Sequence, residues 1–423
     1  MIPSFRASTP IDWWPGMGNR LCGYVPGALQ RLVRHARQAM LPWVNLRLPV
    51  TVLCGPAADC AQDARILVAG AWPWADYLPN RFFATPPRRE DLGRVPLWGL
   101  RSFVESRRRD VDMVIIRVDR ISARLFFRDG YLVVPEGVGS RIIVPIDLKQ
   151  LARLSKSVKG DLRRVRRDGL TSTISHAASD CDFFYDTMYV PFLRKRHGDF
   201  AAVRSRRQVR RAFHRGGILW VHHGDERLAG AVFALRNRVL HFVALGTSRG
   251  RLDLMQRGAL AALYMFLMQY AADYGCVRID CGSSGPILND GVLRYKSKWG
   301  ARLEGTNAQY HYLVRWESPN PVVTTFLKRL PLIFKSTGGG LCGLTTLTDM
   351  TGGLEAKMAA IERSLWTDGL ERLFIMVPSV ERLAEGFNPL QRSDVGLEHR
   401  CRAVVCTEEQ FSSTMAGGSV HVP

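Results

Sequence analysis

Three short apolar segments joined by two tight turns, with a long apolar helix after them, constrain the fold of this chain more than any other feature. The segments are predicted to be strands over residues 218–222, 228–235 and 239–245. Gly224-Asp225-Glu226 and Asn237-Arg238 fit the turns, because these residue types favour tight chain reversals. The helix is predicted from about Asp253 to Tyr274. Adjacent strands that lead directly into a helix indicate a sheet with a helix layer.

The segments on either side of this core continue the alternation of helices and strands. Before it, the pattern predicts helices over 148–168, 180–196 and 205–213 and a strand over 171–176. After it, the pattern predicts a strand, a helix and a long strand over 277–281, 287–299 and 302–316. Further upstream, β-branched runs predict strands at 112–118, 130–135 and 141–145. The predicted fold class is therefore α/β, in an α+β layered arrangement.

The chain has 423 residues, which is enough for two or three domains. Changes in periodicity predict an N-terminal extension over 1–44 and an α/β half over 45–145. They also predict a main domain over 146–335 and a partly disordered C-terminal extension over 336–423. Helices are also predicted over 28–40 and 317–335. Within the last region we expect linker at 338–340 and 345–348, one or two helices over 354–374, and little order after 388.

The charge balance favours anionic partners. Lys and Arg together number 59 and Asp and Glu 38, which gives a formal net charge of +21. Such a field attracts a nucleotide, tRNA, an anionic glycan precursor or an acidic membrane face. The alternative interpretation is that the arginines only increase solubility. We expect an anionic small-molecule donor or acceptor, with tRNA and peripheral membrane contact as further candidates.

Several function classes are disfavoured by the sequence. The nine cysteines include no Cys-x-x-Cys pair with histidines at zinc spacing, which favours reduced structural thiols. His222 and His223 are adjacent on a predicted strand and would point to opposite faces, so no metal is expected. The first residues have no apolar signal region, and no segment is apolar enough to span a bilayer. These features predict a cytoplasmic protein.

Three motifs, at 155–169, 222–235 and 290–303, together resemble the GNAT N-acetyltransferase fold, in the branch that contains the Fem aminoacyl transferases and CelD-like proteins. The first is the basic helix SKSVKGDLRRVRRDG at 155–169, and the second is the hairpin HHGDERLAGAVFAL at 222–235. The third, DGVLRYKSKWGARL at 290–303, is similar to the closing Fem signature of an aromatic-Lys pair followed by aromatic-Gly. The likeness covers about 170 residues, and such proteins carry a second, degenerate GNAT-like half that would correspond to 45–145.

The resemblance implies an acyl-CoA or acetyl-CoA donor. In such enzymes the loop and helix after the third strand hold the pyrophosphate through backbone amides, as a helix N-terminus can. The corresponding residues here are Leu245, Thr247, Arg257 and Gly258. The family pattern Arg/Gln-x-x-Gly-x-Gly/Ala is broken, because Met255 and Leu260 occupy its first and last positions. Gly258 could equally serve close helix–sheet packing.

The resemblance also indicates catalytic and substrate-binding residues. Lys296 beside Tyr295 would stabilise the oxyanion that forms when an amine attacks a carbonyl. Asp280 is a candidate general base, and Ser283 is expected to border the same cleft. On the basic helix, Lys156 and Arg163 would bind substrate phosphates. For each of these the structural alternative is a packed core position, a helix cap or a solvated helix face.

The resulting functional hypothesis is an acyltransferase. It would move an acyl group from acyl-CoA to an amine or hydroxyl of a cell-envelope, nucleotide-sugar or polysaccharide precursor. Two alternatives stay open. One is a Fem-like, aminoacyl-tRNA-dependent peptidyl transferase, and the other is a non-catalytic GNAT-like module in polysaccharide biosynthesis.

Overall fold

A computed structural model describes residues 46–71, 75–127, 130–198, 201–305, 308–317, 320–349, 351, 353–377, 403–406 and 411. The chain divides into two compact units. The first contains the described residues up to Glu136 and those within Asn307–Glu362 and Arg372–Pro423, and the second those within Gly137–Thr306 and Arg363–Glu371. The predicted domain boundaries stay a prediction. The expected helix over 28–40 lies outside the described residues.

The strands of the described residues are numbered β1 to β17 in chain order. They are β1 (Arg47–Pro56), β2 (Asp63–Ala69), β3 (Arg88–Pro96), β4 (Met113–Asp119), β5 (Leu132–Pro135), β6 (Val138–Ile143), β7 (Thr171–Ser175), β8 (Gly216–His223), β9 (Glu226–Arg236), β10 (Val239–Thr247), β11 (Arg278–Ser284), β12 (Arg302–Glu304), β13 (Tyr310–Arg315), β14 (Leu332–Lys335), β15 (Leu341–Thr346), β16 (Leu370–Met376) and β17 (Ala403–Cys406).

The α-helices are numbered in the same way. They are α1 (Tyr77–Asn80), α2 (Leu100–Arg107), α3 (Arg120–Phe126), α4 (Leu148–Leu154), α5 (Lys156–Arg167), α6 (Ala178–Phe184), α7 (Val190–His197), α8 (Arg206–Phe213), α9 (Asp253–Gln256), α10 (Ala259–Asp273), α11 (Gly291–Lys298), α12 (Pro321–Arg329) and α13 (Leu354–Leu365). A π-helix, Tyr185–Tyr189, joins α6 to α7.

The second unit contains a seven-stranded sheet in the order β12-β6-β11-β10-β9-β8-β7. Its strands pair antiparallel, except for β10 and β11, which pair in parallel. The crossover between these two strands contains α10, which is the helix that the sequence predicted after the three strands. The predicted mixed α/β, layered fold class is therefore confirmed.

Apolar side chains cover both faces of this sheet. One core joins α5 and α10 to the sheet through residues such as Val165, Leu263 and Phe242. The core on the other face contains Trp220 and Val232 together with residues of α6, the π-helix and α8. Two faces packed by helices make this unit a three-layer structure.

The first unit has a six-stranded sheet in the order β3-β1-β2-β4-β13-β5. A separate sheet has the order β14-β15-β16-β17. The prediction of one long strand over 302–316 is wrong, because β12 pairs with β6 in the second unit whereas β13 pairs with β4 and β5 in the first. Alternating apolar residues in both strands produced the appearance of a single element.

Other differences concern helix breaks and the C-terminal region. The helix predicted over 148–168 is broken at Ser155, whose hydroxyl caps α5. Gly258, in the left-handed conformation, separates α9 from α10 within the predicted helix over 253–274. The predicted helix over 317–335 ends at Arg329 and is followed by β14. The linker predicted at 345–348 is wrong at its start, because β15 extends to Thr346, and 354–374 contains α13 and most of β16.

Gly246 lets the π-helix approach β10 at backbone distance. A Cβ built on Gly246 would lie 2.6 Å from the carbonyl carbon of Met188 and 2.7 Å from the nitrogen of Tyr189. Because these atoms belong to the backbone, a side chain could fit only if the helix moved. The π-helix is therefore held against the end of β10.

We predict that Gly246→Ala destabilises the protein by about 1–3 kcal/mol, because it overpacks this contact. A matched control is Gly160→Ala, which meets no atom within 4 Å. Since Gly160 lies inside α5, that change should stabilise the protein by about 0.5–1 kcal/mol. Urea unfolding of both variants measures the effects. Equal stability of Gly246→Ala and the wild type would contradict the packing account.

Candidate functional site

The parallel strands β10 and β11 separate soon after they begin to pair. Their register consists of Val239 with Arg278, Leu240 with Ile279 and His241 with Asp280. Beyond these pairs β10 continues along β9 as far as Thr247, and β11 continues along β6 as far as Ser284. Among the described residues the two strands therefore diverge after His241 and Asp280, and we call the space between them the strand gap.

A β-bulge accompanies the divergence in each strand. Val243 is an extra residue of β10 relative to β9, because Phe242 and Ala244 oppose consecutive residues of β9. One extra residue also lies between Asp280 and Ser283 in β11 relative to β6. Bulges bend a strand and re-aim its side chains, and they occur often beside active sites.

His241 and Asp280 form a hydrogen-bonded pair at the closed end of the gap. The His241 Nδ1 atom lies 3.0 Å from the Asp280 Oδ2 atom. Asp280 Oδ1 also accepts from the Gly282 amide at 2.9 Å. The hydrogen bond to His241 lowers the pKa of the Asp280 carboxyl. An ionised Asp280 favours the proton on Nδ1 and leaves the His241 Nε2 lone pair as a base.

The pair faces away from α10. Leu240 and Phe242 belong to the core that includes α10, so His241 between them projects to the other face of the sheet. Ile279 and Cys281 lie in that same core, which places Asp280 with His241. The His241 side chain is 37% exposed and that of Asp280 48%. Solvent or a substrate can therefore reach both.

Lys296 reaches the β11 bulge from α11. Its Nζ atom donates to the Gly282 carbonyl at 3.1 Å, the Ser283 carbonyl at 3.0 Å and the Ser284 hydroxyl at 3.0 Å. The residue is only 5% exposed. The three donors of the ammonium group thus match three acceptors on one strand end. Lys296, Asp280 and Ser283, which the sequence analysis selected separately, lie together here.

Burial lowers the pKa of Lys296 to about 8, and the positive charge of Arg204 acts in the same direction. Arg204 lies on a loop whose backbone is fixed by two tyrosines. The Tyr185 hydroxyl donates to its carbonyl, and its amide donates to the Tyr189 hydroxyl, both at 3.0 Å. The π-helix that supplies both tyrosines therefore fixes the backbone of Arg204.

Tyr295 lies on another side of α11 and packs against α10. Its ring meets the Tyr264 ring edge-on, with centroids 5.4 Å apart, and Lys298 Nζ lies 4.4 Å from its centroid. Burial raises the pKa of the Tyr295 hydroxyl. Of this aromatic-Lys pair, the Tyr295 ring therefore packs against α10, whereas the Lys296 side chain reaches the end of β11.

The residues predicted to bind the donor lie around the connection from β10 to α10. Leu245 and Thr247 are in the last part of β10, and the Thr247 hydroxyl donates to the Arg251 carbonyl at 2.7 Å. Arg257 and Gly258 directly precede α10. Gly258 faces α5, since a Cβ there would lie 3.6 Å from the Arg164 Cβ.

The start of α10 suits an anion. Gly258 is its N-cap and provides no side-chain cap, so the first amides of a 15-residue helix lack that partner. Arg164 and Arg257 border this end, and the Arg164 Nη1 atom donates to the Gln256 carbonyl at 3.1 Å. Lys156 and Arg163 are instead exposed on α5, away from its buried stripe.

His241 and Arg204 were not selected from the sequence. His222 and His223 are conspicuous in the sequence because they are adjacent, but His222 hydrogen-bonds Thr173 across β7 and β8. His241 occupies an ordinary alternating position of a strand. Only the parallel pairing of β10 with β11 reveals its partner, and that pairing joins residues 39 positions apart.

The described ranges contain neither a candidate metal cluster nor a candidate membrane-spanning helix. No group of three or more His, Cys, Asp or Glu side chains there could hold a metal ion. In the same part of the chain, no helix has the length and apolar character needed to cross a bilayer.

Comparisons with known proteins identify structural similarity alone. No protein-family model matches the sequence, and no curated protein matches it. The structure of L-PGS from Bacillus licheniformis has 13% identity and a TM-score of 0.31, and covers 66% of this chain and 88% of its own. FemX has 11% identity and a TM-score of 0.34, and the match covers 65% of this chain and 90% of FemX. A GCN5-related N-acetyltransferase from Sphaerobacter thermophilus has 13% identity and a TM-score of 0.29, and the match covers 51% of this chain and 67% of that protein. Because these TM-scores are low, the description of the fold depends on this chain's own sheet topology.

The lowered pKa of Lys296 predicts a specific pH dependence of stability. Between about pH 8 and the ordinary lysine pKa of 10.5, the unfolded chain holds a proton that the folded chain has released. The contribution of Lys296 to the free energy of unfolding must therefore rise with pH in this window. Relative to Lys296→Met, which does not titrate, the wild type should gain about 2 kcal/mol between pH 7 and pH 10.

Urea unfolding of both proteins at pH 7, 8, 9 and 10 measures this difference. Lys298→Met is a matched control, because Lys298 is paired with Asp161 and has no such burial. If the curves for wild type and Lys296→Met run parallel across the window, Lys296 does not carry the shifted pKa.

Proposed function

We propose that the second unit is a GNAT-like acyltransferase that uses an acyl-CoA donor and His241 as its general base. The observation that carries the proposal is the end of the β10–β11 pairing at His241 and Asp280. A base, a carboxylate that orients it and a separated strand edge then occur at one position. The acceptor is an amine or hydroxyl, with a cell-envelope, nucleotide-sugar or polysaccharide precursor as its expected class.

The strand gap supports the binding of an extended donor. Beyond Phe242, alternate residues of β10 direct backbone N–H and C=O groups toward the side from which β11 has departed. Such groups require partners, which an extended, amide-containing chain can provide as an added strand does. The pantetheine arm of an acyl-CoA has this chemistry. Its pyrophosphate would lie at the start of α10, near Arg257 and Gly258.

The transfer step follows from this arrangement. The acceptor's nitrogen or oxygen attacks the thioester carbonyl carbon, and its proton passes to His241 Nε2. The new C–N or C–O bond forms as the C–S bond breaks. The thiolate then takes the proton from His241 and leaves as the free thiol. Asp280 stabilises the imidazolium while it exists, and β10 backbone amides stabilise the oxyanion.

In this proposal Lys296 is a positioning residue. Its three donors already have three acceptors on β11, so a direct bond to an oxyanion would require one of them to be given up. By filling the bulge, Lys296 fixes the Asp280–Ser284 segment against which His241 is aligned. The geometry thus favours an indirect role over the oxyanion contact expected from the sequence.

Binding of the donor can be tested by thermal unfolding of the full chain. Acetyl-CoA or a longer acyl-CoA should raise the melting temperature in proportion to the logarithm of its concentration, since it binds only the folded state. Stabilisation by tRNA and not by acyl-CoA would favour the Fem-like alternative. If neither ligand stabilises the protein, the non-catalytic alternative is favoured.

We predict that His241→Gln lowers kcat by about 100-fold or more while acyl-CoA still stabilises the protein. Asp280→Asn should also lower kcat, because the amide no longer holds the proton on Nδ1 and the Nε2 lone pair is lost as a base. Thiol release from acyl-CoA, measured with a panel of amino and hydroxyl acceptors, gives the rates. His223→Gln, which changes an exposed histidine at the end of β8, is the control. Unchanged kcat in His241→Gln would remove the proposed base.

A further inference from the structure

A groove of about 430 Å³ opens beside the His241–Asp280 pair. It lies where β9 turns into β10 and where β11 begins, and its lining residues are Arg236, Asn237, Val239, His241, Val277 and Arg278. No element of the sequence analysis pointed to it. His241 is both a wall of this groove and a partner of Asp280, so a molecule bound here would lie next to the proposed base.

The turn between β9 and β10 builds one end of the groove. Asn237 and Arg238 both have positive φ, 50° and 57°, as a two-residue hairpin turn requires. Arg238 fixes the turn to the segment before β11, because its Nε donates to the Gly275 carbonyl at 3.0 Å and its carbonyl accepts from Val277 at 2.8 Å. The groove is therefore formed by a fixed backbone.

Strand pairing places several arginines on the face of the sheet that carries His241. Arg236 pairs with Val239, and Val239 with Arg278, so all three project to one side. Two residues further along, Asp280 pairs with Arg141, and Arg141 with Arg302. The face thus holds Arg236, Arg278, Arg141 and Arg302 beside His241.

The carboxylates on this face offset only part of the positive charge. Glu304 lies 2.8 Å from Arg141 Nη1 and 4.0 Å from Arg278 Nη1, and Asp280 is engaged by His241. Within the described residues no carboxylate lies in ion-pair range of Arg236. Guanidinium donors that lack anionic partners are suited to phosphate or carboxylate.

We infer that this groove binds an oxyanion of the acyl acceptor, so that the acceptor is a phosphate- or carboxylate-bearing amine or alcohol. The inference rests on the proposed function, because it treats His241 as the base. Arg236 and Arg278 would hold the anionic group, and the nucleophilic nitrogen or oxygen of the same molecule would extend toward His241 Nε2. The donor would enter from the strand gap, on the other side of the pair.

The experiment is calorimetric titration of the full chain with inorganic pyrophosphate and, separately, with citrate. Saturating CoA is present in one series and absent in the other, so that binding at the start of α10 can be subtracted. In the Arg236→Gln/Arg278→Gln double variant, we expect binding in the presence of CoA to be about tenfold weaker or more. The control double variant is Arg101→Gln/Arg153→Gln, which removes two exposed arginines from α2 and α4.

Stronger binding of pyrophosphate would identify a phosphate-bearing acceptor, and stronger binding of citrate a carboxylate-bearing one. If neither probe binds the wild type, or if both double variants weaken it equally, the inference is overturned.

Kinetics separate this inference from the proposed function. The groove variant should raise the acceptor KM about tenfold while kcat changes little, whereas His241→Gln lowers kcat. Groove-dependent binding without any acyl transfer would overturn the function and leave only an anion-binding groove. Transfer that is unaffected by the groove variant would overturn the inference alone.

Discussion

The short parallel pairing between β10 and β11 is the constraint on which the structure of the site depends. β10 must stay with β9 and β11 with β6, and each strand contains an extra residue where it begins to turn away. Within the described residues, the pairing of β10 with β11 therefore consists of three residue pairs. The separation places the hydrogen-bonded His241 and Asp280 side chains at its closed end and leaves one edge of β10 without β11 as a neighbour.

Buried polar groups at this separation must find partners, and the two strands meet the requirement differently. On β11, Lys296 supplies three donors to the end of the strand, at the energetic cost that its lowered pKa reports. On β10, the π-helix approaches at Gly246 and leaves the edge on the β11 side to a ligand or to water. The protein itself thus supplies partners to the end of β11, whereas our proposal assigns the edge of β10 to the donor.

The parts of this architecture that local pattern determines could be predicted from the sequence. The strands β8 to β10, their turns and α10 follow from apolar alternation, Gly224, Asn237 and helical periodicity. The choice of Lys296, Asp280 and Ser283 as candidates came from the family resemblance. The rest depends on contacts between distant residues. His241 can be recognised as a candidate only from its pairing with Asp280, and the groove arginines only from the strand register. The division of 302–316 into two strands is visible only from their pairing with different sheets.

Amide hydrogen exchange of the β10 segment Val243–Thr247 tests the central claim most directly. The account predicts that saturating acetyl-CoA slows exchange in this segment, because its outward amides gain partners, while exchange in β8 stays the same. Unchanged exchange in Val243–Thr247, under conditions in which acetyl-CoA demonstrably binds, would show that the strand gap is not the donor site.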